Sequence, residues 1–161
     1  MPDSIGLGTQ DILDVCQSVE MACAELYHYF AELFKEDRET FHLWLKTALE
    51  EENHSRQYAL IAKLRSKNVI ESIQLELLDA EIALLYVRSL IDRVKQHPPG
   101  QLEALRIAID LEQKLDGFLV EKVVLFSDPS HERSFKAIDN SDSRHVEALQ
   151  EAYQRKLAQL R

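Results

Sequence analysis

The feature that most constrains the fold is a long run without helix breakers: no glycine and no proline occurs between Thr9 and His97. Glycine and proline are the residues that most often interrupt helices, and strand signals hardly appear in this run. The sequence therefore predicts an all-α fold. A length of 161 residues is typical of one domain with its own core, so we expect residues 1–161 to form a single domain.

Charge and hydropathy exclude several classes of partner. The formal net charge of −9 and a pI near 5.1 disfavour binding to nucleic acid or to an anionic membrane, since both need basic surfaces. No apolar run approaches the roughly 20 residues of a membrane span, and the polar N-terminal residues contain no signal peptide. We therefore expect a cytoplasmic protein. Cys16 and Cys23 are about 10 Å apart along one predicted helix, too far for a disulfide, so both are expected to be reduced thiols.

Hydrophobic periodicity predicts an antiparallel four-helix bundle made of two hairpins. The segment from Ile70 to His97 is interpreted as a long crossover that contains an extra helix capped by Asp79. The four bundle helices are predicted from about Thr9 to Lys35 with Thr9 or Asp11 as the cap, from about Thr40 to near Ser66, from Gln101 to Phe126, and from Pro129 to Leu157.

Four acidic residues fall on the apolar stripes of these helices, where leucine would be expected. Two of them are followed three residues later by histidine, a spacing that brings both side chains to one point of a helix face. Each predicted hairpin also places its two acids equally far from its turn, so the chain contains an internal repeat of Glu followed by acid-x-x-His. The residues concerned are Glu20, Glu51, His54, Glu112, Asp142 and His145.

The charge balance of these stripes indicates a ligand. Four inward carboxylates cannot all stay ionised without compensation, and no Lys or Arg lies on the same stripes. Two divalent ions would neutralise them, and the two histidines would complete a nitrogen and oxygen ligand set suited to iron or manganese. The alternative is a bundle in which the six groups only hydrogen-bond to each other.

At these residues the chain resembles the ferritin-like superfamily, and most closely the rubrerythrin-type di-iron proteins without their rubredoxin domain. The resemblance implies that Glu20, Glu51, His54, Glu112 and His145 ligate two iron ions, with Asp142 in place of the usual Glu. Tyr27 and Tyr58 each follow a candidate ligand by seven residues, and the Glu20 to Tyr27 segment is similar to the rubrerythrin first helix. We expect these two tyrosines to hydrogen-bond to a ligand or to be oxidisable, with core packing of a satisfied hydroxyl as the alternative.

Three positions depart from the family pattern. Leu115 stands where rubrerythrins carry a further Glu, Asp142 is one methylene shorter than Glu, and there is no Cys-x-x-Cys pair. Without the electron-transfer domain that such pairs build, electrons must come from an external donor.

The resemblance implies an oxidoreductase whose diferrous centre reacts with hydrogen peroxide, as in rubrerythrins, or with O₂, as in the ferroxidase reaction of ferritins. The alternative is an iron-binding, storage or assembly protein without turnover. We expect a homodimer formed through an outer helix face, to which the apolar helix from Ala80 to Val94 offers surface, with a closed ferritin-like shell as the other possibility.

Overall fold

The computed structural model describes the backbone of residues 2–138 and 142–160 and the side chains of residues 11–65, 67–136 and 145–160. In this part of the chain there are seven α-helices and one two-stranded sheet, so the predicted all-α class is confirmed in its coarse form. Among the described helices, none combines the length and the apolar character that crossing a bilayer would require.

Helices α1 (Pro2–Leu33) and α2 (Arg38–Leu64) form the predicted first hairpin. The expected cap at Thr9 or Asp11 is wrong, because α1 begins at Pro2, and proline is well suited to the first turn of a helix. Asp37 caps α2, and its carboxylate accepts a hydrogen bond from the Thr40 N–H at 3.2 Å. The apolar face of α1 is buried between Leu13 and Phe30, at Leu13, Cys16, Val19, Cys23, Leu26, Tyr27 and Phe30.

The crossover starts with a 3₁₀ turn at Arg65–Lys67, continues through strand β1 (Ile70–Ile73) and ends with helix α3 (Leu77–Gln96). Asp79 is not the cap of α3, because the helix already includes Leu77 and Leu78. Helix α3 packs on the outside of α1, where the Tyr29 hydroxyl donates to the carbonyl of Val94 at 3.2 Å. This packing agrees with the interpretation of α3 as an extra helix within the crossover.

The third predicted bundle helix is shorter than expected. Helix α4 ends at Lys114 (Gln101–Lys114) and is followed by a 3₁₀ turn at Asp116–Phe118, a short helix α5 (Val120–Val123) and strand β2 (Val124–Phe126). Strand β2 pairs antiparallel with β1, with Ile73 opposite Val124 and Ile70 opposite Phe126. The prediction of one helix to Phe126 is wrong because Gly117 weakens the helix and the β-branched valines favour the pairing with β1.

The last predicted helix is described as two helices, α6 (Pro129–Ile138) and α7 (Asp142–Gln159), and residues 139–141 between them lie outside the described residues. The predicted turn with proline at the start of the helix is confirmed, since the Asp128 carboxylate accepts the Ser130 N–H at 2.8 Å. Helix α7 packs against α4. Its end is tied to the first hairpin by an ion pair of 2.7 Å between Lys156 and Asp37.

Candidate metal centre

The interior between α1 and α2 holds the first group of candidate ligands. Glu20 lies on the buried face of α1, and Glu51 and His54 lie one turn apart on the facing side of α2. The Nδ1 atom of His54 is 3.5 Å from Oε2 of Glu51 and 3.7 Å from Oε2 of Glu20. One ligand atom of each residue lies within 4.8 Å of the others, so the three side chains could hold a metal ion.

A second group of three forms where α4 and α7 meet α2. The Nε2 atom of His145 is 3.1 Å from Oε1 of Glu112 and 3.4 Å from Oε1 of Glu51. The atoms of this group also lie within 4.8 Å of one another and could hold a metal ion. The four helices α1, α2, α4 and α7 therefore supply one cluster.

Glu51 belongs to both groups, and its two oxygens point in different directions. Its Oε2 faces Nδ1 of His54, whereas its Oε1 faces Nε2 of His145. The Glu51 carboxylate therefore has one oxygen toward each of the two groups. Its side chain is only 4% exposed, so neither oxygen is directed to bulk water.

The structure thus brings together five of the six predicted ligands, Glu20, Glu51, His54, Glu112 and His145. The side chain of the sixth, Asp142, lies outside the described residues, although the backbone of Asp142 begins α7 three residues before His145.

Burial and the charges of neighbouring groups change the pKa values of the residues in the metal-free cluster. Burial, and then the charges of Glu112 and Glu20, raise the pKa of Glu51 well above its ordinary value. Burial alone would lower the pKa of His145, but its hydrogen bonds with Glu112 and Glu50 outweigh burial and raise this pKa to about 9. Burial likewise opposes ionisation of Glu112, yet the contact with His145 lowers the pKa of Glu112 below its usual range. Protons on Glu51 and His145 therefore reduce the negative charge of the metal-free cluster.

The donor set fits divalent metal ions. Every ion pair that Glu20, Glu51 or Glu112 makes with a described basic residue is with one of the two histidines, so no described Lys or Arg neutralises them. Two buried carboxylates and one half-buried carboxylate, together with two imidazoles, are the oxygen and nitrogen ligands preferred by iron and manganese. Metal ions would take the place of the protons that the cluster otherwise holds.

The two predicted tyrosines have different surroundings. The Tyr27 hydroxyl donates to Oε1 of Glu112 at 2.6 Å and so contacts a candidate ligand directly. Burial, and then the charge of Glu112, raise the pKa of Tyr27 well above its ordinary value, so its phenol stays protonated. The Tyr58 hydroxyl donates to the backbone carbonyl of Phe118, which holds α2 against the 3₁₀ turn after α4.

Glu50 is a site residue that the sequence reasoning missed. Its Oε2 lies 2.5 Å from Nδ1 of His145, on the side of the ring opposite Glu112. Such a contact fixes the orientation of a histidine whose other nitrogen faces a metal position. Glu50 lies about 100° around α2 from Glu51, off the apolar stripe, and its only sequence signal is its place in the acidic run before His54.

The cysteines are neutral neighbours of the cluster. Both are free thiols and both are buried, as predicted. Burial, and then the charge of Glu20, raise the pKa of Cys16 to about 12. Burial and the nearby carboxylates, Glu51 foremost, also raise the pKa of Cys23 well above its usual value, which disfavours a thiolate ligand.

No family model, curated protein or solved structure matches this chain.

Proposed function

We propose that this protein is a non-haem di-iron oxidoreductase of the ferritin-like, rubrerythrin type that reacts with hydrogen peroxide or O₂. The observation that carries the proposal is the position of Glu51, whose two oxygens face the two separate ligand groups. A single buried carboxylate shared by two three-residue groups favours a dinuclear centre over one mononuclear site. Two iron ions are the proposed occupants, with manganese as the other metal that suits these ligands.

The ligands divide between two metal positions. Glu20, Glu51 and His54 would hold one ion, and Glu51, Glu112 and His145 would hold the other. Asp142 is proposed as a further ligand of the second ion, because the resemblance to rubrerythrins puts a carboxylate at that place. Bound as a ferrous pair, two iron ions would supply one electron each, which together with two protons would reduce one hydrogen peroxide to two waters.

The residues around the proposed centre orient the ligands and keep out water. Tyr27 keeps its proton at Oη and donates it in a hydrogen bond, so it fixes Oε1 of Glu112, the oxygen that also contacts Nε2 of His145. Trp44 packs against the Tyr27 ring, with ring centroids 5.8 Å apart, and closes the cluster on its apolar side. Glu50 holds the His145 ring from behind.

Access for a small oxidant is proposed from the side where α2 and α4 meet α7. The side chains of Glu50 and Glu112 are 16% and 17% exposed, whereas that of His145 is only 2% exposed. Hydrogen peroxide and O₂ are small enough to reach the cluster past these two partly exposed side chains. An external donor is proposed to supply the electrons that restore the ferrous state.

The proposal is tested by anaerobic loading with ferrous iron followed by rapid mixing with one hydrogen peroxide for each pair of irons. We expect both irons of a pair to be oxidised by one peroxide, followed by repeated turnover when a reductant is added. Glu51→Ala removes the shared ligand and should abolish the reaction. His28→Ala is the matched control, because His28 belongs to another acid-x-x-His pair but contacts Glu52 at the surface.

The outcomes separate the proposed function from its alternatives. If peroxide leaves the iron ferrous and O₂ oxidises it, the reaction is of the ferroxidase type. Iron that stays ferrous with both oxidants would exclude an oxidoreductase and favour iron binding alone. Uptake far beyond two irons per chain would indicate storage.

A further inference from the structure

The outward face of α3 carries an apolar stripe that no described part of the chain covers. Leu78, Ile82 and Leu85 are 65%, 55% and 64% exposed. Their spacing of four and three residues puts them in one line along the helix. The opposite face of α3 is already buried against α1, at Ala80, Ala83, Val87, Leu90, Ile91 and Val94. The stripe is therefore a second apolar surface of α3, which packing within one chain leaves exposed.

Charged residues border this stripe in an asymmetric pattern. Glu81 and Arg88 are both exposed, and they lie two turns apart on the same side of the stripe. The described acidic residues of the first half of α3 are Asp79 and Glu81, whereas its second half carries Arg88 and Arg93 with Asp92. Lys95 does not contribute to this face, because it pairs with Glu25 of α1 at 3.2 Å. One end of the face is thus acidic and the other is predominantly basic.

We propose that α3 forms an isologous dimer interface in which the same face of a second copy of this chain packs antiparallel. A two-fold axis midway between Ile82 and Leu85 puts Ile82 of each copy against Leu85 of the other. The same axis brings Glu81 of each copy toward Arg88 of the other, so the charge pair forms twice. The face is therefore complementary to itself in both shape and charge.

A parallel arrangement of the two helices fits less well. Leu78, Ile82 and Leu85 of one chain would then each face the same residue of the other chain. Arg88 would point toward Arg93 of the other chain. Like charges in such flanking positions disfavour a pairing. The charge pattern of α3 therefore selects the antiparallel dimer.

The mass of the full chain in solution tests this dimer. Light scattering or sedimentation at about 50 µM, roughly the concentration range in which modest dimers form, should give twice the chain mass of 18.6 kDa. Ile82→Glu buries a charge at the interface and should return the mass to that of one chain, while circular dichroism shows unchanged helix content. Leu49→Glu is the matched control, because Leu49 is also an exposed apolar residue (49%) but lies on α2.

A charge exchange tests the antiparallel direction independently. Arg88→Glu should weaken the dimer by about tenfold, because two ion pairs become two like-charge contacts. The double variant Glu81→Arg, Arg88→Glu should restore the dimer, since each pair is formed again with its signs reversed. A wild-type chain that stays monomeric at about 50 µM contradicts the proposal, as does a dimer that Leu49→Glu dissociates and Ile82→Glu leaves intact. Failure of the charge exchange to restore pairing would exclude the antiparallel register.

Discussion

The metal-free protein should lose stability as the pH rises from about 6.5 to 9, because His145 is protonated in the folded state. Its hydrogen bonds with Glu112 and Glu50 overcome the effect of burial and raise the pKa of His145 from 6.5 to about 9. When the pKa of a group is higher in the folded state than in the unfolded state, the group stabilises the folded state fully at pH values below its unfolded pKa. This stabilisation is lost as the pH rises through the folded pKa. At about 1.4 kcal/mol for each pKa unit, the contribution of His145 is about 3 kcal/mol.

Other groups of the cluster do not reverse this trend. Burial beside Glu112 and Glu20 raises the pKa of Glu51, so Glu51 also gives stability that is lost as the pH increases. The lowered pKa of Glu112 has the opposite sign, but an acid with a lowered pKa changes stability only below about pH 4.5. The free energy of unfolding should therefore fall across the neutral to alkaline range.

Urea unfolding of the metal-free chain at pH 6, 7.5 and 9, followed by circular dichroism, measures the effect. Glu50→Gln is the informative variant, because it removes one of the two acceptors that raise the pKa of His145, so the fall should be smaller and end at a lower pH. Metal loading should reverse the slope, since metal ions bind the deprotonated ligands. A metal-free protein whose stability is constant or increases between pH 6.5 and 9 would refute the reasoning.

Three further substitutions have defined expectations. Asp37→Ala removes the cap of α2 and the ion pair with Lys156, so it should lower the free energy of unfolding by about 2 kcal/mol and the melting temperature by about 4–8 °C in calorimetry. Tyr27→Phe removes a hydrogen bond to the half-buried carboxylate of Glu112 and should cost about 1–3 kcal/mol in urea unfolding of the metal-free chain, with an unchanged stability contradicting that contact. Glu50→Gln should weaken iron binding by about 10- to 100-fold in competition with a chelator, because the His145 ring loses its fixed orientation, and unchanged affinity would exclude this role.

The parts of the site that were predictable are those with a local anomaly in the sequence. Glu20, Glu51 and Glu112 interrupt apolar stripes, and a buried acid needs a partner wherever the fold places it. The spacing of Glu51 and His54 also fixes their proximity on one helix without knowledge of tertiary structure. These residues therefore predicted a common cluster from the sequence alone, without knowledge of how the helices pack.

The parts that were missed depend on contacts between distant segments. Strand β2 forms because β1, some fifty residues earlier in the chain, is available to pair with it, and no local pattern in the Val-rich segment specifies that partner. Glu50 acquires its role only when α7 brings His145 beside it. Tyr58, like Tyr27, follows a candidate ligand by seven residues, yet its hydroxyl donates to the carbonyl of Phe118. Phe118 lies in the turn after α4, and the prediction of one continuous helix to Phe126 contained no such turn.

The most direct test of the proposed dinuclear centre is the number of irons bound per chain after anaerobic reconstitution and removal of excess metal, measured by elemental analysis. We predict two irons in the wild-type chain, two in the surface control His28→Ala and none in Glu51→Ala, because both ligand groups include Glu51. Wild-type protein that binds no iron, or a Glu51→Ala variant that keeps both irons, would contradict a centre bridged by this carboxylate.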